Sequence, residues 1–359
     1  MRILIATDAW RPQVNGVVRT YEKVAVEIEE MGHDLSFLTH EGFRTVPLPS
    51  YPEIRLAFIQ PRHVRRRVEQ FRPDHVHVAT EGPIGLAARR WCQLNRHSFT
   101  TSYHTRFPEY VSARLPIPVS WGYAFERWFH NSASGVMVAT QSLMDDLTRH
   151  GIRRLMPWSR GVDTAMFHPR GARLFGHEPV FLYVGRVSVE KNIEAFLRLD
   201  LPGKKVVVGG GPQLQALKSA YPDAVFTGPK FGDELAQAYS SADVFVFPSK
   251  TDTYGIVLLE AMACGVPVAA FPVMGPKDVV RHGETGVLDD DLRAACLAAL
   301  DLDGARALDY AKRHNWRNSA DEFLDNVVKA HADEPNFIRL RLRTRRRKPA
   351  PQIESRSAD

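Results

Sequence analysis

Cysteine is scarce. Cys92, Cys264 and Cys296 are the only three in 359 residues, and their spacing fits neither a disulfide framework nor a cysteine metal cluster. Long apolar runs are missing too: no stretch reaches the roughly 20 apolar residues that a spanning helix needs. The opening run Met1-Arg2-Ile3-Leu4-Ile5-Ala6 breaks off at Thr7 and Asp8. It reads as a strand entering a domain and not as a secretory leader. The cytosol is therefore the expected compartment. Neither a Ser-His-Asp elbow nor a zinc-spaced His/Cys set is present. These absences set aside secreted disulfide scaffolds, helical membrane proteins and two widespread catalytic constellations.

What is present is the composition of a soluble globular chain, 44% apolar and 25% charged, and a length that suits two α/β domains. Short β-branched runs alternate with helical stretches, which predicts parallel sheets of the βαβ kind. The strand candidates are 3–6, 35–39, 75–78, 100–103 and 135–139 in the first half, and 180–184, 205–208, 224–226, 244–247 and 266–270 in the second. They are almost continuously apolar, as strands covered on both faces must be. Each half reads as a doubly wound sheet of about five or six strands. The predicted division is 1–168, 169–332 and a flexible basic tail at 333–359, with a last helix at 315–330 able to pack back on the first domain. Two such domains facing each other enclose a cleft lined by strand-end loops.

The formal charge is +6, and much of the excess sits between Arg55 and Arg96 and in the tail run Arg339 to Lys348. Clustered arginines point to an anionic surface, or simply to a basic soluble protein with a loose tail.

Two segments carry chemistry. In Phe247-Pro248-Ser249-Lys250-Thr251-Asp252-Thr253-Tyr254-Gly255-Ile256-Val257-Leu258-Leu259-Glu260 a buried strand ends, a polar turn follows and a helix begins. The backbone N–H groups of Tyr254, Gly255 and Ile256 then lie at a helix N-terminus, where anions bind. Asp252 precedes that helix and Glu260 lies within it. In Tyr183-Val184-Gly185-Arg186-Val187-Ser188-Val189-Glu190-Lys191-Asn192, two cations follow the end of a strand. Fixed cations there suit a leaving group whose negative charge grows.

Together these segments resemble the retaining family 4 glycosyltransferases, which have the GT-B fold of two facing Rossmann-like domains. The likeness spans the chain to about residue 332. The 252–260 pair is similar to that family's acid-x7-acid motif, with Asp252 where the family usually has Glu. The resemblance implies that Asp252 meets the donor sugar and Glu260 a ribose diol, while Arg186 and Lys191 clamp the pyrophosphate. It also implies that Gly16, in Asn15-Gly16-Val17, lets the backbone approach the diphosphate, and that His104, in Tyr103-His104-Thr105, contacts sugar or phosphate. Gly210 and Gly211, with Lys230, would lie beside the nucleotide, although packing explains those glycines equally well. Arg106 and Glu109 are the candidate acceptor-side groups.

No metal or cofactor is expected. Asp289-Asp290-Asp291 and Asp301-Leu302-Asp303 have the spacing of a metal-holding acid pair, but both read as helix caps in polar loops. The partners implied are a UDP- or GDP-sugar, a lipid acceptor such as diacylglycerol and an anionic membrane surface; nucleic acid is not expected. Three features favour lipid. Residues 63–71 place Val64, Val68 and Phe71 on one face among arginines. Trp121, Tyr123, Phe125, Trp128 and Phe129 form an aromatic stretch that lines either a lipid entry or a core. The tail adds its basic run. The chain is similar to the subgroup that contains bacterial mannosyltransferases and glycolipid-forming sulfoquinovosyl or glucosyl transferases. The rivals are the same chemistry on a soluble sugar or polysaccharide, and a non-enzymatic nucleotide-sugar or RNA binder.

Overall fold

The apolar runs become strands in two separate sheets. The computed structural model describes residues 1–332 apart from 14, 49, 50, 113–115 and 172, so the basic tail with its run 339–348 lies outside the described residues. The first half contributes β1 (Arg2–Ala6), β2 (Asp34–Leu38), β3 (Thr45–Leu48), β4 (Tyr51–Ala57), β5 (His75–Val78), β6 (Phe99–Tyr103), β7 (Gly135–Val138) and β8 (Leu155–Pro157). The second contributes β9 (Val180–Val184), β10 (Lys204–Val208), β11 (Val225–Gly228), β12 (Val244–Phe247), β13 (Val268–Ala270) and β14 (Gly286–Leu288).

Six-stranded sheets result in the orders β2-β1-β5-β6-β7-β8 and β11-β10-β9-β12-β13-β14, while β3 and β4 form a separate antiparallel pair. Every pairing within the two large sheets is parallel. All ten expected strands form. The edge strands β8 and β14 and the β3–β4 pair are additions.

The two-residue alternation of a strand feeds two cores at once. From β1, Ile3 and Ile5 face the helices Gly16–Glu30 and Trp316–Ala330, while Leu4 and Ala6 face the helices Pro61–Phe71 and Pro83–Leu94. From β9, Leu182 and Val184 enter one core of the second half, Phe181 and Tyr183 the other.

The chain crosses between the halves twice, and the two crossings run side by side. Val162 N–H donates to the His314 carbonyl at 2.9 Å, and Val162 and Asn315 form a parallel bridge. Any Cβ at Gly161 would sit 2.4 Å from backbone atoms of Asn315 and Trp316, so glycine is needed for this approach. The last helix, Trp316–Ala330, then packs on the first half. Its Trp316, Phe323 and Val327 join Tyr21 and Trp158, and Trp158 Nε1–H donates to the Ser319 carbonyl at 3.0 Å.

One expectation needs correction. The apolar face of helix Pro61–Phe71 is not free for a bilayer: Val64 is fully buried, Val68 and Phe71 pack on the same core, and Arg67 donates to Ser36 Oγ. A short helix over a sheet buries its apolar stripe in its own domain first. The aromatic stretch divides: Tyr123 and Phe129 are core residues, while Trp121, Phe125 and Trp128 are exposed. No helix of the described residues is long and apolar enough to cross a membrane.

Candidate functional site

The buried strand β12 ends at Phe247, and the chain must turn sharply before helix Ile256–Ala263. Gly255 makes that turn at φ 83°, where a Cβ would press on Phe247 and Leu258 at 3.1–3.2 Å. The left-handed conformation thus requires glycine here. Tyr254 is buried, with its hydroxyl 3.4 Å from the Arg160 carbonyl. Ile256 packs against cores of both halves.

Asp252, in the turn, receives Lys191 Nζ on Oδ1 at 2.5 Å. Its Oδ2 is buried and has no hydrogen-bond partner. Glu260, deep in the helix, is 2% exposed; it accepts from Tyr239 Oη at 2.9 Å and pairs with Arg19 Nη1 at 2.8 Å.

The Arg186 loop is pressed against the glycine run. Val187 N–H donates to the Gly210 carbonyl and Gln213 N–H to the Val187 carbonyl. A Cβ on Gly209 would lie 1.8 Å from the Gly185 carbonyl oxygen, and one on Gly211 would lie 2.3 Å from the Val187 carbonyl oxygen. Packing therefore explains Gly211 outright. At Gly210 a Cβ would meet nothing closer than Pro229 at 3.8 Å. Arg186 itself is exposed. Lys230 reaches Glu234 at 3.4 Å.

Across from this loop stands the first half. Gly16 opens helix Gly16–Glu30, with Asn15 capping it through the Val17 and Val18 N–H groups. The nearest atom to a Cβ on Gly16 would be Ile256 Cδ1 at 3.7 Å, an ordinary contact, so no protein neighbour demands glycine there. The placement itself is informative: the start of this helix faces the start of helix Ile256–Ala263.

His104 follows β6, and both its ring nitrogens are engaged inside the first half. Arg160 Nη2 lies 3.3 Å from Nδ1, and Tyr21 Oη lies 3.2 Å from Nε2. Guanidinium donates and never accepts, so Nδ1 is the acceptor and the neutral ring carries its proton on Nε2, toward Tyr21. Burial and then the nearby Arg160 charge hold the His104 pKa well below the ordinary imidazole range. Tyr21 Oη also meets His77 Nε2 at 2.8 Å and Ser102 Oγ at 3.1 Å, and burial takes His77 down to about 3. The Thr253 hydroxyl donates to the His104 carbonyl at 2.8 Å, joining the acid-bearing turn to this histidine.

Four residues that the sequence alone did not single out thus join the candidate site: Arg19, Tyr21, Arg160 and Thr253. Their partners lie 83, 56 and 149 residues away for Tyr21–His104, Arg160–His104 and Thr253–His104. Nothing short-range in the sequence announces such pairs.

Of the two residues expected on the acceptor side, Arg106 Nη2 bonds Glu109 Oε1 at 2.5 Å, and Tyr123 Oη donates to the same oxygen at 2.7 Å. Asp146 stands 3.6 Å from Arg106. The two acidic triplets do serve as caps: Asp291 accepts from Arg293 and Ala294 N–H, and Asp303 from Ala305 N–H. Among the described residues, one group has metal-like spacing, Glu81, Glu126 and His130. His130 Nε2 lies 3.2 and 3.1 Å from the two carboxylates, with Thr101 Oγ1 on Nδ1. This triad contacts Thr101 and Tyr103, on the sheet face opposite Ser102. It is an ion-pair cluster separate from the Asp252 turn.

Two family models match the chain: "Glycosyltransferase Family 4" over residues 14–166 and "Glycosyl transferases group 1" over residues 178–302. A GDP-mannose-dependent alpha-mannosyltransferase of Mycobacterium tuberculosis is 30% identical, the match covering 80% of this chain and 83% of that protein. An alpha-monoglucosyldiacylglycerol synthase of Streptococcus pneumoniae is 26% identical over 84% of this chain and 78% of its own length. Among solved structures, Anabaena Alr3699/HepE in complex with UDP superposes with a TM-score of 0.67 at 15% identity, covering 90% of this chain and 98% of that one.

Proposed function

The chain belongs to glycosyltransferase family 4 and is a nucleotide-sugar-dependent hexosyltransferase of GT-B fold, and from that premise we propose that it moves a hexosyl group from a UDP- or GDP-linked donor to a membrane lipid such as diacylglycerol, with retention of configuration and without a divalent metal.

One observation carries this reading. Asp252 offers one oxygen to Lys191 and keeps the other buried without a partner, at the mouth of the helix that Gly255 starts. A buried acceptor left unsatisfied costs about 1–3 kcal/mol, and a donor sugar hydroxyl would supply the missing bond. Lys191 is then placed to turn from Asp252 to the diphosphate, joined by Arg186 and the N–H groups of Tyr254, Gly255 and Ile256. These cations and dipoles supply the charge stabilisation that a divalent ion would otherwise bring.

In this reading Asp252 holds the donor sugar and Glu260 the ribose, which assigns neither carboxylate the part of a nucleophile. Front-face displacement follows: the C1–O bond to phosphate breaks on the face where the acceptor oxygen bonds, and the leaving phosphate oxygen takes the acceptor proton. His104 would exchange its Nε2–H bond to Tyr21 for one to the sugar. The relative named alpha-monoglucosyldiacylglycerol synthase supports a lipid acceptor, and that acceptor supports a peripheral place on the cytoplasmic membrane. The anomeric proton coupling of the isolated product tests retention. An α-linked product from an α-linked donor is expected; a β-linked product would refute front-face transfer.

A further inference from the structure

We propose that the outer face of helix Val119–His130 is a bilayer-docking surface, which seats the acceptor side of the enzyme on anionic lipid. The inference rests on the lipid-acceptor reading above and adds the part of the molecule that meets the membrane.

Trp121, Phe125 and Trp128 project from this helix one turn apart, 70%, 40% and 55% exposed. Soluble proteins rarely leave three large aromatics together in water without use. Phe107, on the adjoining helix Phe107–Ser112, extends the strip at 44% exposed. Trp128 is held in place from beneath: the Arg89 guanidinium lies 3.8 Å from its ring centroid and donates to the Trp128 and Phe129 carbonyls. The tryptophan is thus already oriented, and little side-chain entropy would be lost on insertion.

Charge decides what covers this face. The helices Pro61–Phe71, Pro83–Leu94 and Val119–His130 share one side of the first sheet through a common core. Their exposed cations include Arg62, Arg66, Arg90 and Arg127. Their one exposed carboxylate, Glu69, is paired with Arg65, and Glu126 is buried. Exposed aromatics on a layer of helices whose exposed charges are mostly arginine match the interfacial zone of an anionic bilayer, where Trp and Phe sit at headgroup depth and each Arg adds about 1 kcal/mol of attraction.

The same helix carries the link to the site. Its inner face presents Tyr123, whose hydroxyl bonds Glu109 of the candidate acceptor cluster. A membrane under the outer face therefore lies one helix diameter, about 10 Å, from those groups.

The test uses the full chain with Trp121, Phe125 and Trp128 all changed to serine. Sedimentation is measured with vesicles of phosphatidylcholine containing about a third phosphatidylglycerol, in about 0.15 M salt. The wild type is expected to partition at least about tenfold more strongly than the variant, and its tryptophan emission to shift to the blue. Equal sedimentation of the two proteins overturns the proposal, since binding would then belong to the arginines or the tail. So does a wild type that ignores vesicles but self-associates through this face.

A second arm separates docking from acceptor choice. Transfer to diacylglycerol dispersed in detergent is expected to be alike in both proteins, while transfer to diacylglycerol in vesicles falls about tenfold in the variant. Equal transfer in vesicles sinks the docking surface and leaves the lipid acceptor. Vesicle binding lost in the variant, with no lipid labelled in either format, sinks the acceptor reading and leaves the surface.

Discussion

The guanidinium of Arg160 lies 3.3 Å from Nδ1 of His104, and that contact decides which nitrogen of the ring carries the proton. Arg160 is itself buried, anchored by the carbonyls of Trp158 and Ser159 instead of a carboxylate. It acts through His104 and is a positioning residue. In Arg160→Met, burial still holds the His104 pKa down but the Arg160 charge no longer does, so its titration moves up from the wild-type position. The pH profile of kcat is expected to gain an acid limb, with activity at pH 6 falling more than at pH 8. Arg160→Lys, which keeps a donor, should restore much of the original profile. An unchanged profile in Arg160→Met would show that the contact does not set the ring's protonation.

The Lys191–Asp252 pair separates two roles. Lys191→Ala is expected to weaken UDP or GDP binding and to lower kcat by about 10²–10³, the scale of one lost transition-state donor. Asp252→Asn alters the carboxylate proposed to hold the donor sugar and should leave nucleotide binding, measured by titration calorimetry, close to wild type while transfer is lost. Equal loss of nucleotide affinity in both variants would place Asp252 on the nucleotide instead.

Arg19 and Glu260 join the two halves at 2.8 Å, with Arg19 on the position proposed for the ribose diol. Glu260→Ala should raise the donor KM by about tenfold or more, as expected for loss of a charged hydrogen-bond acceptor. Arg19→Ala removes the competitor and should lower that KM. Steady-state kinetics on the two variants checks the opposite signs; a parallel rise would mean that Arg19 helps to hold the donor.

His130 gives a stability signature independent of catalysis. Burial lowers its pKa, but hydrogen bonds and charge from Glu126 and Glu81 outweigh that and raise it to about 9. Its contribution is fully present below the unfolded value near 6.5 and is lost as pH climbs through 9. The melting temperature of the wild type should therefore decline between pH 6.5 and 9, and His130→Gln should lack that slope. His77, held neutral down to about 3, acts on the acid side: the unfolded chain takes its proton first, so stability falls as pH drops from 6.5 toward 3.

Most of the fold was legible because a buried parallel strand needs an apolar run, and ten such runs stood out. Strands β8 and β14 did not, being three-residue edge strands in which Pro157 and Gly286 dilute the signal. The β3–β4 pair carries Pro47 and Pro52, which weaken any strand reading. The acid-bearing turn was readable because Asp252, Gly255 and Glu260 lie within one short segment. Arg160, Tyr21 and Arg19 were not, since each gains meaning only from a partner brought near by the fold. Arg160 in particular looks like any loop arginine until it is found buried. The helix Pro61–Phe71 shows the converse limit: its periodicity revealed an apolar face, but not which way that face would turn.

The most direct measurement follows label from UDP- and GDP-linked hexoses into a lipid extract with EDTA present, comparing wild type with Asp252→Asn. Label in the organic phase from one of the two donors, unaffected by EDTA and lost in the variant, is the expected result. Transfer that EDTA abolishes and added magnesium restores, or that Asp252→Asn leaves intact, would contradict a metal-independent site built on Asp252 and Lys191.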